Sequence, residues 1–331
     1  MSKARRGCTG GTGPETTVSA PFSGMWKRCG PVLVLAVCSA AGTVRAGIPA
    51  AFADVGYGAR PMGMGGAYVA LASDPYALFW NPACLVMVRG WQVSTMYARQ
   101  FGLIPYALAA VATGLPHHSG LGVGFLTSGD DMWRESAVYA SYARSLAFLG
   151  EAGSTLCAGL TLKVRWSSFG NNADGGAERV QGAAVGYGLD LGLRWKPAPR
   201  WALGLLLRDP LNRLRYENRT RRVSYGESVP AALLVGAAYL ARANVILALD
   251  LDKSLYADLK DRISLGGELL LYKLLYLRAG WSQNLDPVAN GKANCGFGVQ
   301  YFRPGFGARF DFAYQLHFLA HTPRVSVSVW F

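Results

Sequence analysis

The sequence predicts an all-β fold, an antiparallel transmembrane β-barrel of about fourteen strands with a compact N-terminal segment inside it. Three observations predict this fold. The 331-residue chain is 51% hydrophobic but only 16% charged, its apolar residues alternate with small or polar ones, and turn residues follow each alternating run. Soluble domains average about 25% charged residues. The composition therefore favours a chain whose exterior faces lipid.

Residues 1–46 have the pattern of an export signal. Lys27 and Arg28 precede an apolar run, and Val44-Arg45-Ala46 supplies the small residues at which signal peptidase cuts. The residues before Met25 are polar and without pattern, so Met25 is an alternative start. A second interpretation of the apolar run is a lipoprotein signal that ends at Cys38. The residue before that cysteine is Val37, which fits such a signal poorly.

Removal of residues 1–46 takes away six basic residues and one acidic residue, so the net charge falls from +13 to +8. Much of the remaining excess lies in one predicted loop, residues 209–229. Its arginines are Arg213, Arg215, Arg219, Arg221 and Arg222. No basic face interleaved with aromatic residues accompanies them, which argues against nucleic-acid binding. A solvated, extracellular basic loop is the interpretation that the sequence favours.

Residues 47–89 lack alternation and predict a Gly-rich loop with short helices. Gly63, Gly65 and Gly66 precede a predicted helix over residues 67–72. Because a compact segment ahead of a barrel has the lumen as its natural place, we expect residues 47–89 to form an N-terminal hatch inside a barrel built from residues 90–331.

A second short helix is predicted over residues 76–80. Asp74 and Pro75 are favoured at the N-cap and first helical positions. Asn81 then ends the helix, because a residue before proline avoids the α region.

Fourteen strands follow from the alternation. The segment 181–195 shows it most clearly: Val185, Tyr187 and their apolar partners occupy one face, and glycines with Asp190 occupy the other. A face of glycine and alanine with scattered single charges suits a crowded lumen better than water. The predicted strands are 90–100, 106–115, 120–128, 135–147, 154–166, 181–196, 200–208, 230–241, 243–252, 261–273, 275–283, 292–302, 305–316 and 323–331.

The glycines of the third strand, Gly120, Gly122 and Gly124, leave two interpretations open. They let the hatch pack closely against the wall, or they bend the strand to open a lateral gap. Close packing of the hatch is the interpretation that we favour. Alternate connections are short, which predicts periplasmic turns at one end and longer outer loops at the other.

A family resemblance rests on residues 58–70, on Asp74 and on Asn81-Pro82-Ala83. This stretch resembles the N-terminal region of the FadL long-chain fatty acid transporter superfamily, and is most similar to its PorV-like branch and to a spirochaetal group of outer-membrane FadL homologues. The resemblance implies a fourteen-stranded barrel in the bacterial outer membrane, with an Asn-Pro-Ala motif in its hatch. It also implies passive uptake of fatty acids or other hydrophobic molecules, which leave sideways once the hatch shifts.

The last strand alternates strictly and ends in Phe331. This ending is similar to the signal that directs barrels to their assembly machinery, and it is also compatible with an aromatic residue packing at the membrane interface. Lipid of the outer membrane, hydrophobic small molecules and the assembly machinery are therefore the expected partners.

The sequence predicts no enzyme, cofactor or metal site. Cys84, Cys157 and Cys295 are too widely spaced for a zinc site or a disulfide framework. His317 and His321 have the spacing of a helical metal pair, but their segment is not helical. Two further functions stay open: a PorV-like docking or shuttle protein for secreted proteins, and a surface adhesin or diffusion porin.

Overall fold

A closed antiparallel wall surrounds an N-terminal hatch in the computed structural model, which describes residues 55–147, 155–170, 180–256, 259–285, 291–317 and 320–331. Neighbouring strands pair around a closed ring, in which the first strand also pairs with the last. In the described part of the chain, fourteen strands form the wall and one short strand is additional. The predicted fold class is confirmed. The export signal, with the alternatives at Met25 and Cys38, lies outside the described residues.

The strands are β1 Trp91–Gln100, β2 Ile104–Leu115, β3 Ser119–Gly129, β4 Trp133–Ser145, β5 Leu156–Phe169, β6 Gly182–Ala198, β7 Trp201–Asn218, β8 Val223–Glu227, β9 Ala232–Arg242, β10 Val245–Ser254, β11 Arg262–Leu271, β12 Leu275–Asn284, β13 Lys292–Arg303, β14 Phe306–Leu316 and β15 Thr322–Trp330. Strand β1 starts and strand β15 ends at the same end of the barrel, which we call the inner end. The opposite end is the outer end.

The predicted basic loop is wrong in its secondary structure. β7 continues to Asn218 and pairs with β8, so residues 209–229 include a β-hairpin beyond the last pair of β7 with β9, Arg208 with Ala232. Pro210 has no N–H to donate at the point where this pairing ends. Tyr216 and Tyr225 stack across the hairpin with ring centroids 5.1 Å apart. Apolar cross-strand packing therefore extends the sheet where the charge pattern indicated a loop.

The two faces of the wall differ as the alternation predicts. Outward side chains such as Leu162, Val185 and Tyr187 are 57–61% exposed, although they are large and apolar. Inward side chains such as Asp190 are buried. Exposed tryptophans lie near strand ends: Trp91, Trp195 and Trp201 toward the inner end, and Trp166 and Trp281 toward the outer end. An apolar band between aromatic girdles is the exterior of a transmembrane barrel.

The connections are less asymmetric than predicted. Residues 199–200, 243–244 and 304–305 are tight turns at the inner end. The connection from β4 to β5 at that same end spans residues 146–155, while residues 101–103 make a short connection at the outer end. The length of a connection therefore does not by itself show whether it lies at the inner or the outer end of the barrel.

The hatch, residues 55–90, contains helix α1 (Ala59–Gly63), helix α2 (Ala77–Trp80) and a 3₁₀ helix (Pro82–Met87). Most of its side chains are buried, and with inward residues of the wall they form the main hydrophobic core. Among the described residues, no helix has the length and apolar character needed to cross a membrane.

The predicted helix over residues 67–72 is wrong, and that segment forms turns. The N–H groups of Tyr68 and Val69 both donate to the same oxygen of the Asp250 carboxylate on β10, at 2.7 and 2.8 Å. These bonds hold the segment against the wall. Helix α2 begins at Ala77, and the Asp74 carboxylate accepts the Tyr76 N–H just before it at 3.2 Å.

Candidate functional site: the hatch seat and the cavity above it

Asn81, the first residue of the Asn-Pro-Ala motif, hydrogen-bonds to three segments. Its side chain is fully buried. The amide Nδ2 donates to the carbonyl oxygens of Val69 in the hatch and Leu193 on β6, at 2.9 and 3.0 Å. Its Oδ1 accepts the N–H of Ala83 at 3.1 Å and so caps the 3₁₀ helix. Pro82 occupies the first position of that helix, where no N–H is required.

The Gly-rich segment lies against the wall backbone on the other side of the lumen. Gly65 and Gly66 have φ values of +68° and +83°. A Cβ on Gly65 would lie 2.7 Å from the amide nitrogen of Trp281 on β12. Gly63 approaches Gly296 on β13, where a Cβ would lie 3.4 Å from the facing Cα. Gly63 and Gly65 therefore bring the hatch into direct contact with the strands, while Gly66 faces the Trp80 ring within the hatch.

Arg60 joins the hatch to an ionic network that sequence reasoning missed. Its guanidinium binds both oxygens of Glu268 on β11, each at 2.8 Å. Arg60 also donates to the hydroxyl of Tyr68 at 2.9 Å, and that hydroxyl donates to Asp74 at 2.8 Å. A bidentate, buried pair of this kind has both geometric specificity and strength.

The wall side of the network alternates in charge. Arg278 on β12 donates to Glu268 at 2.7 Å and to Asp311 on β14 at 2.8 Å. Arg309 donates to Asp311 at 2.8 Å and returns to Asp74 in the hatch at 3.1 Å. With Arg60 included, three positive groups meet three negative groups. The charged residues of the lumen face therefore form ion pairs with one another and with the hatch.

A second buried cluster belongs to the wall alone. Lys163 on β5 contacts Asp190 and Asp209 at 2.6 and 3.1 Å, and Arg165 binds Asp209 at 2.7 Å. Asp209 adopts a φ of +50° at the register shift between β6 and β7. This cluster fixes the wall beside the hairpin and does not include a hatch side chain.

The inward glycines of β3 face the hatch. A Cβ on Gly120 would meet the Leu85 carbonyl, and one on Gly122 would lie 2.6 Å from the Leu78 side chain. This contact supports the close-packing interpretation of these glycines. The wall strands on either side of β3 are paired along its length.

Adjacent glycines of β11 offer a test of the close contact between the hatch and the wall. A Cβ on inward-facing Gly266 would meet the Met64 carbonyl and lie 2.8 Å from the Met64 Cβ, whereas one on Gly267 would lie 3.7 Å from Leu247. Gly266→Ala is expected to destabilise the protein by about 1–3 kcal/mol through overpacking. Gly267→Ala, the control, is expected to be neutral or slightly stabilising. The midpoint of heat modification on gels measures the stability of both variants. Equal midpoints would contradict the close contact of Gly266 with the hatch.

A cavity of about 360 Å³ lies above the hatch at the outer end of β1 to β4. The hatch contributes Tyr57, which stacks on Phe79 with centroids 4.9 Å apart. Phe79 in turn contacts Tyr139 on β4 at 4.7 Å. The lining side chains are mostly apolar or aromatic, and they are Val55, Tyr57, Gln100, Ile104, Tyr106, Leu126, Ser128, Asp130, Trp133, Glu135 and Tyr139, with Gly129. The volume and lining are those of a small-molecule pocket.

The remaining predicted site residues are the basic arginines and Phe331. Arg213, Arg215, Arg219, Arg221 and Arg222 are all exposed on or beside the β7–β8 hairpin, as expected for a solvated basic surface. Phe331 is 62% exposed at the inner end, where its ring lies 5.6 Å from that of Phe306. In the part of the chain that the structure describes, no group of three His, Cys, Asp or Glu side chains could hold a metal ion.

The fold and site define a class: a transmembrane barrel whose lumen is filled by its own N-terminal segment. Several solved structures have a fold similar to that of this chain. The CymD monoaromatic hydrocarbon channel is 17% identical over 84% of this chain and 97% of that one, with a TM-score of 0.58. The Pseudomonas putida toluene transporter TodX is 16% identical over 83% and 97%, with a TM-score of 0.55.

A Pseudomonas aeruginosa FadL homologue is 10% identical over 82% of this chain and 97% of that one, with a TM-score of 0.58. No protein-family model matches the sequence, and no match to a curated protein was found. The FadL resemblance inferred from the sequence is thus confirmed at the level of the fold.

Proposed function

We propose that this chain is a bacterial outer-membrane channel for passive uptake of hydrophobic small molecules. The observation that carries the proposal is the aromatic cavity at the outer end, which is floored by a hatch residue, Tyr57, inside a barrel with an apolar exterior. The similarity of the fold to the CymD hydrocarbon channel and the TodX toluene transporter supports it. Long-chain fatty acids, the substrates that the sequence resemblance implies, are the first class to assay.

Hatch movement is part of the proposal. A molecule in the cavity lies on Tyr57, whose carbonyl oxygen accepts the Trp80 Nε1–H at 2.8 Å. Below it, the Asn81-Pro82-Ala83 motif and the Arg60 network join the hatch to the wall. A passing molecule must break or shift these contacts, and a lateral exit between strands would spare it from crossing a polar inner outlet.

Locking the hatch to the wall tests this movement. The Ala59 N–H donates to Ser326 Oγ on β15 at 2.7 Å, so the two residues are adjacent. In a Cys295→Ser background, Ala59→Cys with Ser326→Cys is expected to lower uptake of a labelled fatty acid or toluene at least tenfold on oxidation. Reduction should restore it. Cells without their own transporter serve for the assay.

The matched control is a disulfide within the wall. Ser94 Oγ on β1 lies 2.8 Å from Ser328 Oγ on β15. Ser94→Cys with Ser328→Cys is expected to leave uptake unchanged in both redox states. Uptake that persists at full rate with the hatch cross-linked would show that the hatch does not gate.

A docking role for secreted proteins is the second candidate, and the exposed basic β7–β8 hairpin favours it. Docking at the outer surface requires no hatch movement, so the hatch cross-link would leave it intact. In either role, assembly into the outer membrane would depend on the alternating last strand and Phe331, and contact with membrane lipid on the apolar band.

A further inference from the structure

From β6 onward, the turns at the inner end of the barrel carry exposed basic side chains and no acidic ones. In the described chain, no Asp or Glu lies in these turns or within two residues of them. The exposed basic residues of these turns and of the adjoining strand ends are Lys196, Arg200, Arg242, Lys273 and Arg303. This end of the barrel therefore presents charge of a single sign.

Three of these cations lie on two neighbouring turns. The Arg200 carbonyl oxygen accepts the Leu240 N–H at 2.8 Å, so the β6–β7 turn lies directly beside the end of β9. Arg242 follows two residues after Leu240, and Lys196 lies on the β6 side of the same turn as Arg200. We call Lys196, Arg200 and Arg242 the inner basic patch.

Aromatic side chains lie between the inner basic patch and the apolar band of the wall. Trp195 and Trp201 are 46% and 45% exposed, and each is adjacent in the chain to a cation of the patch. The ring of Trp201 contacts that of Tyr239 on β9, with centroids 4.6 Å apart. Exposed tryptophan and tyrosine belong at the level of the lipid headgroups. The patch therefore lies where the headgroups begin.

The charge of the inner basic patch has no acidic partner within the described residues. Exposed cations at the outer end differ in this respect, because Lys253, for example, pairs with Asp261 at 3.0 Å. Neighbouring like charges repel one another, and an anion from outside the chain would relieve that repulsion. The guanidinium groups of arginine match a phosphate group in geometry as well as in charge.

The β11–β12 turn repeats the combination of an aromatic residue and a cation, at a conformational cost. Tyr272 and Lys273 have φ values of +50° and +56°, in the left-handed region that glycine and asparagine favour. The Tyr272 side chain is 95% exposed. Bulky side chains kept at strained turn positions indicate that the side chains themselves are needed there. A membrane interface uses both types.

We propose that the inner basic patch binds the phosphate of an anionic phospholipid, in preference to a zwitterionic one, in the leaflet that surrounds the inner end of the barrel. Arg200 and Arg242 would bind the phosphate, Lys196 would add charge, and the acyl chains would lie along Trp201 and the apolar band. The choline of a zwitterionic lipid would bring a further positive charge to the patch. This site is separate from the outer cavity and from the hatch contacts.

Photo-cross-linking measures the preference at the patch itself. The full chain is placed in nanodiscs of phosphatidylcholine that contain, as a minor component, a diazirine-bearing phosphatidylglycerol or a phosphatidylcholine with the same acyl chains. Mass spectrometry then identifies the cross-linked peptides. Peptides over residues 193–203 and 237–246 are expected to be labelled about tenfold more by the phosphatidylglycerol probe, because each basic residue near a membrane surface attracts anionic lipid.

A triple variant removes the charge of the patch: Lys196→Gln, Arg200→Gln and Arg242→Gln. In this variant the labelling ratio at those peptides is expected to fall below about twofold. The matched control removes three cations from the β7–β8 hairpin: Arg213→Gln, Arg215→Gln and Arg219→Gln. This control should keep the wild-type ratio at the inner end. All six side chains are exposed, and heat modification on gels reports that both variants are folded.

The outcomes assign the patch to one partner. Equal labelling by the two lipids in the wild type would overturn the proposal and favour an acidic protein as the partner. A preference that survives in the triple variant would also overturn it. The preference should be the same in sodium phosphate as in sodium chloride of equal ionic strength. Its loss in phosphate alone would make free phosphate, and not lipid, the ligand.

Discussion

Replacing Arg60 with methionine is expected to loosen the hatch by about 3–5 kcal/mol, the cost of removing one partner from a buried ion pair. Glu268 would lose its bidentate partner, and Tyr68 would lose the donor at its hydroxyl. The wall should stay closed, because its strand ladders do not involve this residue. Met has a similar length and no charge, so the change removes the ionic contacts and keeps much of the volume.

The thiol of Cys84 reports the opening of the hatch. It is fully buried, and burial raises its pKa to about 12, so it reacts with maleimides only when the hatch opens. Arg60→Met is expected to raise its alkylation rate at least about a hundredfold, since 1.4 kcal/mol corresponds to roughly a factor of ten. Cys295 faces outward on β13, so both proteins carry Cys295→Ser and their Cys84 rates are compared directly.

Arg134→Met is the control for the loss of an ion pair. Arg134 pairs with Asp131 at 3.1 Å, with the two side chains 53% and 77% exposed. Exposed pairs contribute about 0–1 kcal/mol, so the Cys84 rate should not change. If the alkylation rate of Cys84 in Arg60→Met equals that of the wild type, the ionic network does not hold the hatch closed.

Replacing Asn81 with alanine is the second large effect that we expect. The change removes two donors, to the carbonyl oxygens of Val69 and Leu193, and the acceptor of the Ala83 N–H. Each buried group left without a partner costs about 1–3 kcal/mol. The 3₁₀ helix should fray first, because Asn81 is its cap.

Hydrogen exchange followed by mass spectrometry measures this effect. Peptides that cover residues 78–90 should exchange faster in Asn81→Ala, while peptides from β13 and β14 keep their protection. Asn244→Ala is the matched control, because Asn244 makes one side-chain bond, to the Leu270 carbonyl at 3.2 Å, in an exposed turn. Unchanged exchange over residues 78–90 would remove Asn81 from the hatch anchors.

The wall could be predicted from the sequence because its signal is local. Lipid outside and a crowded lumen inside impose a period of two on every strand, and glycine or proline marks each turn. β7 was predicted too short, since Arg213 and Arg215 indicated a loop. Outward positions of a hairpin beyond the membrane tolerate charge, and the inward partners Leu214 and Tyr216 were the signal that the sheet continues.

The hatch could be predicted only in part. The end of helix α2 at Asn81 was predicted from the proline that follows it. The extended backbone of Asn81 and the 3₁₀ helix that begins at Pro82 also depend on adjacent residues. The turns at Tyr68 and Val69 depend on Asp250, which lies 182 and 181 residues away in the chain. The secondary-structure propensity of neighbouring residues cannot predict a partner so far away in the chain.

The ionic network and the cavity were missed for the same reason. Glu268 and Arg278 lie on different strands, and Arg309 and Asp311 occupy successive lumen positions of β14. Their common signal was a charge at an inward position in mid-strand, where burial without a partner is too costly to persist. Pairing was therefore inferable, and Arg309 with Asp311 was a local candidate, but the partners on other strands required the closed ring.

The bond from Ala59 to Ser326 spans 267 residues, and this separation determines when the hatch can become native. The earliest described part of the chain to leave the ribosome has its last partner on β15, beside the carboxyl terminus. Contacts of such high sequence separation form late. The hatch thus completes its structure only as the final strand joins the first, and ring closure and plugging become a single event of biogenesis.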